Sequence, residues 1–505
     1  MSLAVILTRA NIGIESPLVR VEAHLSNGLP CFTIVGLPEM AVRESRERVR
    51  SAILNARLEF PDKRITLNLA PAELPKSGGR YDLAIAVGIL AASGQLPMAQ
   101  LQSTEFLGEL ALSGEIRGVS AVLPAALAAR QAGHAMIIPA ENSAEAGLVR
   151  DVDSRTAAHL LDVIGHLAGR TPLPGVISQT RRQLPPGPDM QDIIGQQAAR
   201  RALAIAAAGG HNLLMQGPPG TGKTMLATRL GSILPALDEA RALEVAAVRS
   251  IANTPFDPNA WEVPPFRAPH HTASAVALVG GGSSLKVGEI SLAHNVVLFL
   301  DELPEFSPKV LEVLREPLES GYINIARASY QVRLPARFQL IAAMNPCPCG
   351  SLGDPDKICR CTPDRIRQYQ GRVSGPLLDR IDLHIPVPRL RASEKTRLLE
   401  SPGPSSEASK AIRERVTVSQ QRQLRRAGKT NAWLDPGEIR RDCRLSVEDE
   451  DYLTRAMTQL KLSTRSFFRI LKISRTIADL EGAGQIERQH LLEAISLRFP
   501  GSQLE

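Results

Sequence analysis

Asn212-Leu-Leu-Met-Gln216 followed by Gly217-Pro-Pro-Gly-Thr-Gly-Lys223-Thr224 decides the fold. A short apolar run, a glycine loop and a helical stretch over residues 223–234 follow one another without a break. That order of strand, phosphate loop and helix belongs to a parallel sheet with crossover connections. Gly217, Pro218, Pro219, Gly220, Thr221 and Gly222 form a loop whose backbone amides face an anion, while Lys223 neutralises β and γ phosphates. Thr224 supplies a hydroxyl for Mg²⁺, and the positive end of the following helix favours the same anion.

Two further apolar runs, Val296-Val-Leu-Phe-Leu300 and Phe338-Gln-Leu-Ile-Ala-Ala343, read as central strands with chemistry at their carboxyl ends. The first ends in Asp301-Glu302, where Asp301 suits the Mg²⁺ shell and Glu302 the polarising of an attacking water. The second runs into Met344-Asn345-Pro346. There Asn345 reads either as an amide that orients the water or as a turn residue before proline.

Outward from this core, residues 1–169 alternate strands (Phe32-Thr-Ile-Val35, Ala135-Met-Ile-Ile138) with helices over 40–58 and 122–132, an α/β domain. Residues 170–189, with Thr171-Pro-Leu-Pro-Gly175 and Leu184-Pro-Pro-Gly-Pro188, read as a stiff connector. The parallel-sheet domain is expected over 190–388, opening with a helix at 197–208. Residues 389–505 read as a helical domain, with helices at 410–428, 447–460 and 463–480.

A hydrophobic fraction of 44% with 22% charged residues over 505 positions is that of a multidomain globular chain, which excludes disorder as the default. Neither a basic leader nor an apolar run long enough for a bilayer occurs, so a cytoplasmic protein without a membrane partner is expected. The net charge of +7 fits a polyanion partner but is too small on this length to require one. In that compartment disulfides are disfavoured. Cys347-Pro-Cys349 and Cys359-Arg-Cys361 therefore offer either a tetrahedral zinc site or four reduced thiols. Lys410, Arg413, Arg415, Arg422, Arg425, Arg426 and Lys429 read either as a DNA-facing helix or as a solvated one.

Several stretches together resemble the Mg-chelatase-like AAA+ ATPases, and more narrowly the ComM/YifB family. They are Arg267-Ala-Pro-His-His271-Thr-Ala-Ser274, Gly288-Glu-Ile-Ser-Leu-Ala-His294, Leu300-Asp-Glu-Leu-Pro-Glu305-Phe, Arg315-Glu-Pro-Leu-Glu319, Asn345-Pro-Cys-Pro-Cys349-Gly and Gly375-Pro-Leu-Leu-Asp-Arg-Ile-Asp-Leu383. The resemblance spans essentially the whole chain. It implies ATP with Mg²⁺, Asn345 as first sensor, Arg380 as an arginine finger offered to a neighbouring subunit, and Arg465 as second sensor. Read from the residues alone, Arg380 could instead pair within its domain with Asp379 or Asp382. The family also implies an insert at 266–286 and a pore hairpin at 323–334, where Lys286, Arg327 and Arg333 read either as DNA contacts or as solvated surface residues. His270 and His271 point apart on an extended strand and read as packing residues.

Residues 1–169 resemble the Lon-protease-like domain through Glu73-Leu-Pro-Lys-Ser-Gly-Gly-Arg80-Tyr-Asp82 and Gly108-Glu-Leu-Ala-Leu-Ser-Gly-Glu115. Arg80 and Leu123 align where the catalytic serine and lysine would fall, and Ser77 beside Lys76 is a poor substitute pair, so a binding platform is expected. By resemblance the chain is a hexameric helicase that drives branch migration of single-stranded or branched DNA in natural transformation. The competing readings are chelatase-like remodelling of a protein partner and, with the dyad missing, an ATP-driven protease.

Overall fold

In the computed structural model, which describes residues 2–99, 101–176, 187–254, 261–282, 286–326, 331–390 and 407–500, the apolar runs around the glycine loop form one five-stranded sheet. Its spatial order is Phe266–Arg267, Val297–Leu300, Gln339–Met344, Leu213–Gln216 and Leu383–Pro386. Every neighbouring pair is parallel. Leu213–Gln216 comes first in the chain but lies between the last two strands, so the glycine loop leaves the sheet where strand order reverses. Open α/β sheets bind ligands at such a point. Val297–Leu300 is buried at every position, which explains why its sequence is apolar without alternation.

Contacts divide the chain into two compact units that do not follow its linear order. One comprises Met1–Leu184, Glu239–Trp261 and Asn324–Leu334, and the other the remaining residues. In the sheet-bearing unit, the helices Ser409–Ala427, Val447–Gln459, Thr464–Glu481 and Arg488–Arg498 build no separate core. Ile412, Val416, Ile470 and Ile477 join Ala202, Leu203 and Ala206 of helix Gln197–Gly209 in a cluster that also holds Leu213, Ile341 and Leu383. Residues on both sides of 388 thus share one core, because the small alanines of Gln197–Gly209 offer close-packing surface to sheet and tail alike.

The first unit is a seven-stranded mixed sheet in the order Cys31–Val35, Arg64–Ala70, Leu18–Ser26, Ser2–Arg9, Thr104–Phe106, Ala135–Pro139 and Ser154–Ala157. Ser2–Arg9 and Leu18–Ser26 run antiparallel, as do Leu18–Ser26 and Arg64–Ala70, and the other pairs are parallel. Helix Asp82–Ala92 is buried at all its residues, in keeping with a sequence apolar on every side.

Two pieces of the 190–388 stretch belong to this first unit. Helix Glu239–Ile251 places Leu243, Ala246 and Ala247 against Val122, Leu123, Ala125 and Ala126. Its Ser250 hydroxyl donates to Glu145, and its Ser250 carbonyl accepts from the Ala121 amide at 3.2 Å. The second piece is most of the hairpin formed by Tyr322–Ala326 and Gln331–Pro335. A side chain on Gly13 would come within 2.7 Å of Val332, so only glycine lets the hairpin lie this close.

Candidate nucleotide site and thiol cluster

Helix Lys223–Ile233 begins from Gly222, which sits in the left-handed region at φ +88°, a conformation glycine adopts without cost. At the other end of the loop a Cβ on Gly217 would lie 2.1 Å from the Val387 carbonyl oxygen. The loop is thus held against the edge strand by a residue with no side chain. Lys223 is buried, and its Nζ donates to the Gly217 and Pro218 carbonyls at 2.7 and 2.9 Å and to Asn345 Oδ1 at 3.1 Å. Burial pulls its pKa below the ordinary lysine value, against the opposing charges of Asp301 and Glu302. A phosphate brought to this ammonium would restore the charged form.

Thr224 Oγ1 donates to Asp301 Oδ2 at 2.6 Å, so a hydroxyl from the first turn of the helix and a carboxylate from a strand end meet at the mouth of the loop. These are the hard oxygen donors that Mg²⁺ takes alongside nucleotide phosphates, and the residues fit the ion. Glu302 follows in the left-handed region at φ +53°, and its amide donates to Asp301 Oδ1 at 2.9 Å. A strained glutamate next to a metal-type carboxylate is a familiar sign of function. Its Oε2 lies 3.3 Å from His271 Nδ1. The chain after Phe266–Arg267 thus carries the His271 ring both to Glu302 and, edge-on at 6.5 Å between centroids, to Phe306, so it makes a polar contact beside the packing expected of it. Sequence offered only an ambiguous His-His pair.

Arg380 sits at the opposite end of the sheet. Its carbonyl accepts from the side chain of Asn212, which precedes the Leu213–Gln216 strand, whereas the glycine loop follows that strand. Four strand residues at about 3.3 Å each put more than 10 Å between the two ends. The Arg380 guanidinium is 2.7 Å from Glu319 and donates to the Pro376 carbonyl, while its Nε is buried without a partner. Neither suggested carboxylate holds it. Asp382 pairs with Arg469 and lies near His211, and Asp379 lies 3.9 Å from Arg498. Arg465, the second sensor by resemblance, is exposed and lies 3.9 Å from the same Glu319. The structure thus brings Arg465 to Arg380, not to the loop of its own chain, beside a 380 Å³ cavity lined by Glu319, Asp382, Arg465, Arg469 and Lys472.

Asn345 leads directly into the thiols. Cys347 Sγ lies 3.4 Å from Cys349 and 3.7 Å from Cys359, and Cys349 lies 3.6 Å from Cys359. All four sulfurs, Cys361 included, fall within 4.8 Å of one another. A tetrahedron with Zn–S bonds of about 2.3 Å has edges of about 3.8 Å, so these residues fit a thiolate-bound zinc. The backbone amides of Ser351 and Arg360 bring the Cys349 thiol down to about 6. Amide donors on a sulfur are the surroundings a metal-bound thiolate needs.

Of the candidate DNA contacts, Lys286 is exposed on a two-residue ladder with Gly281, Arg333 is exposed on the second hairpin strand, and Arg327 lies outside the described residues. The basic tail helix is largely committed within the molecule. Arg413 donates to the Ser232 carbonyl, Arg415 pairs with Glu407, Arg422 donates to the Asp479 carbonyl, Arg426 pairs with Asp479, and Lys429 with Glu438. In the first unit Arg80 is buried and Leu123 is fully enclosed. The Lys76 amine is held by the Gly36 and Pro71 carbonyls, which leaves it no part in activating Ser77.

Three family profiles match: Subunit ChlI of Mg-chelatase over residues 21–142, Magnesium chelatase, subunit ChlI over 189–395, and its C-terminal part over 406–498. The competence protein ComM of Haemophilus influenzae is 52% identical over 99% of this chain and 98% of its own length. The chain belongs to the ComM/YifB family of Mg-chelatase-like AAA+ proteins. YifB of Salmonella typhimurium is 49% identical and YifB of Escherichia coli 48% identical, each over 99% of this chain and 97% of its own. Membership of this AAA+ family carries the use of ATP and Mg²⁺, for which Lys223, Thr224 and Asp301 are suitably placed. No helix among the described residues of this ComM/YifB member is long and apolar enough to cross a membrane.

Proposed function

We propose that the chain is an ATP-hydrolysing subunit of a ring, most simply a hexamer, that translocates on DNA and promotes branch migration during natural transformation. The observation that supports the ring is the position of Arg380, at the sheet end opposite its own phosphate loop, as expected of an arginine that serves another copy's nucleotide. A guanidinium supplied in trans stabilises charge on the transferring phosphoryl oxygens and is worth about 10³-fold or more in rate. DNA as substrate rests on kinship with a competence protein and on exposed Lys286 and Arg333, which suit phosphate contacts.

In this reading Lys223 binds the phosphates, Asp301 and Thr224 would hold Mg²⁺, whose charge would offset that developing on the phosphoryl oxygens, Glu302 takes a proton from the attacking water, and Asn345 orients that water. Cys347, Cys349, Cys359 and Cys361 hold a structural zinc, whose loss would free the segment between them. A second reading, chelatase-like remodelling of a protein partner, draws on the profiles named for a magnesium chelatase subunit. The deciding experiment measures ATPase rate and strand displacement with single-stranded and branched DNA. Stimulation by DNA that disappears in Glu302→Gln, while ATP binding persists, is the expected result. A rate indifferent to DNA, without binding, moves the function to the second reading.

A further inference from the structure

The thiol cluster and the phosphate loop are built as one object. Asn345, whose side chain receives the Lys223 ammonium at 3.1 Å, stands two residues before Cys347, which is fully buried. Gly350, one residue after Cys349, lies against the phosphate loop, for a Cβ there would approach Pro219 Cδ to 2.5 Å, and its φ is +76°. A cavity of 260 Å³ lies between the two loops, lined by Gly217, Pro218, Pro346, Leu352, Gly353 and Val387. The thiol loop is tied down elsewhere as well, its middle by Asp354 on Arg389 at 2.6 Å and its start by Gln370 on the Pro346 carbonyl at 3.0 Å.

Between strand Gln339–Met344 and helix Pro363–Gln370 this segment has no helix or strand of its own to hold Asn345 and Gly350 in place. Ordering such a stretch costs conformational entropy for every residue, and a cross-link between its two halves removes much of that cost. We infer that metal held by Cys347, Cys349, Cys359 and Cys361 positions Asn345 and the Pro219 side of the phosphate loop, so that nucleotide affinity and turnover depend on metal occupancy. In this inference the four thiolates act through Asn345 and Gly350 and are positioning residues. This rests on the zinc reading above, and not on DNA being the substrate.

The test pairs zinc content with the affinity of the full-length protein for a fluorescent ATP analogue, alongside ATPase rate. Wild-type protein is expected to carry one zinc per chain. Cys359→Ser with Cys361→Ser should lose the zinc and weaken nucleotide binding by about tenfold, the scale on which supports of a metal site act. Cys359→His, which keeps a zinc ligand, should retain both. Gly350→Ala should keep its zinc yet bind the analogue more weakly, and wild-type protein stripped of zinc by a chelator decides the matter if the double variant does not fold. Zinc-free protein, or Gly350→Ala, with wild-type nucleotide affinity overturns the coupling and leaves the ATPase intact. Wild-type protein without metal overturns the zinc reading itself.

Discussion

Asp382 shows how one side chain can hold two segments together. It accepts from the Asn212 amide at 3.0 Å and pairs with Arg469, and it is almost wholly enclosed. Burial alone would raise its pKa, but Arg469, His211 and the Asn212 amide outweigh burial and hold it well below the usual carboxylate range. A depressed folded pKa means that the stabilisation is complete above the unfolded value of about 3.9 and is lost only as pH falls below it. Asp382→Asn should therefore cost about 2–3 kcal/mol at neutral pH, because half-buried Arg469 loses its charge partner and the Asn212 amide its charged acceptor. Thermal unfolding from pH 7 to pH 3 checks both points: the gap between wild type and variant should narrow as the pH drops. A constant gap would assign the role to shape alone.

At the scale of elements, helix Glu239–Ile251 is the informative case. Its buried residues, Ala242, Leu243, Val245, Ala246, Ala247, Val248 and Ile251, are small or aliphatic and lie on more than one side of the helix. Which surface it covers is not legible, because an alanine-rich surface fits many alanine-rich partners. Leu243→Ala should destabilise the first unit by about 2–3 kcal/mol, toward the lower end for a leucine at a packed contact. The two tryptophans fall one in each unit, so urea unfolding followed through Trp261 in a Trp433→Phe background isolates this effect. An unchanged midpoint would mean the helix contributes no packing energy to that unit.

Across the whole molecule, the proposed ring implies that Arg380, held apart from Lys223 of its own chain, completes the nucleotide site of another copy. Mixing Arg380→Ala chains with Lys223→Ala chains should restore part of the ATPase that each lacks alone, since some interfaces then join an intact loop to an intact arginine. Steady-state ATPase against mixing ratio reads this directly, with a maximum near equal proportions. A flat line at the two parental rates would place Arg380 in a purely structural pair with Glu319.

Sequence by itself determined the phosphate loop, its flanking strand and helix, and the acidic strand end at Asp301 and Glu302. These are local: neighbouring residues carry the chemistry, and apolar runs without alternation announce strands buried on both faces. It also brought the four cysteines within reach of one another, as short spacings do. Tertiary structure alone decided that Glu319, and neither Asp379 nor Asp382, holds Arg380, that Arg465 shares its end of the sheet, that His271 meets Glu302, and that Gly350 rests on Pro219. Each of those contacts joins residues far apart in the chain, where strand order and packing, rather than spacing along the backbone, set the distance.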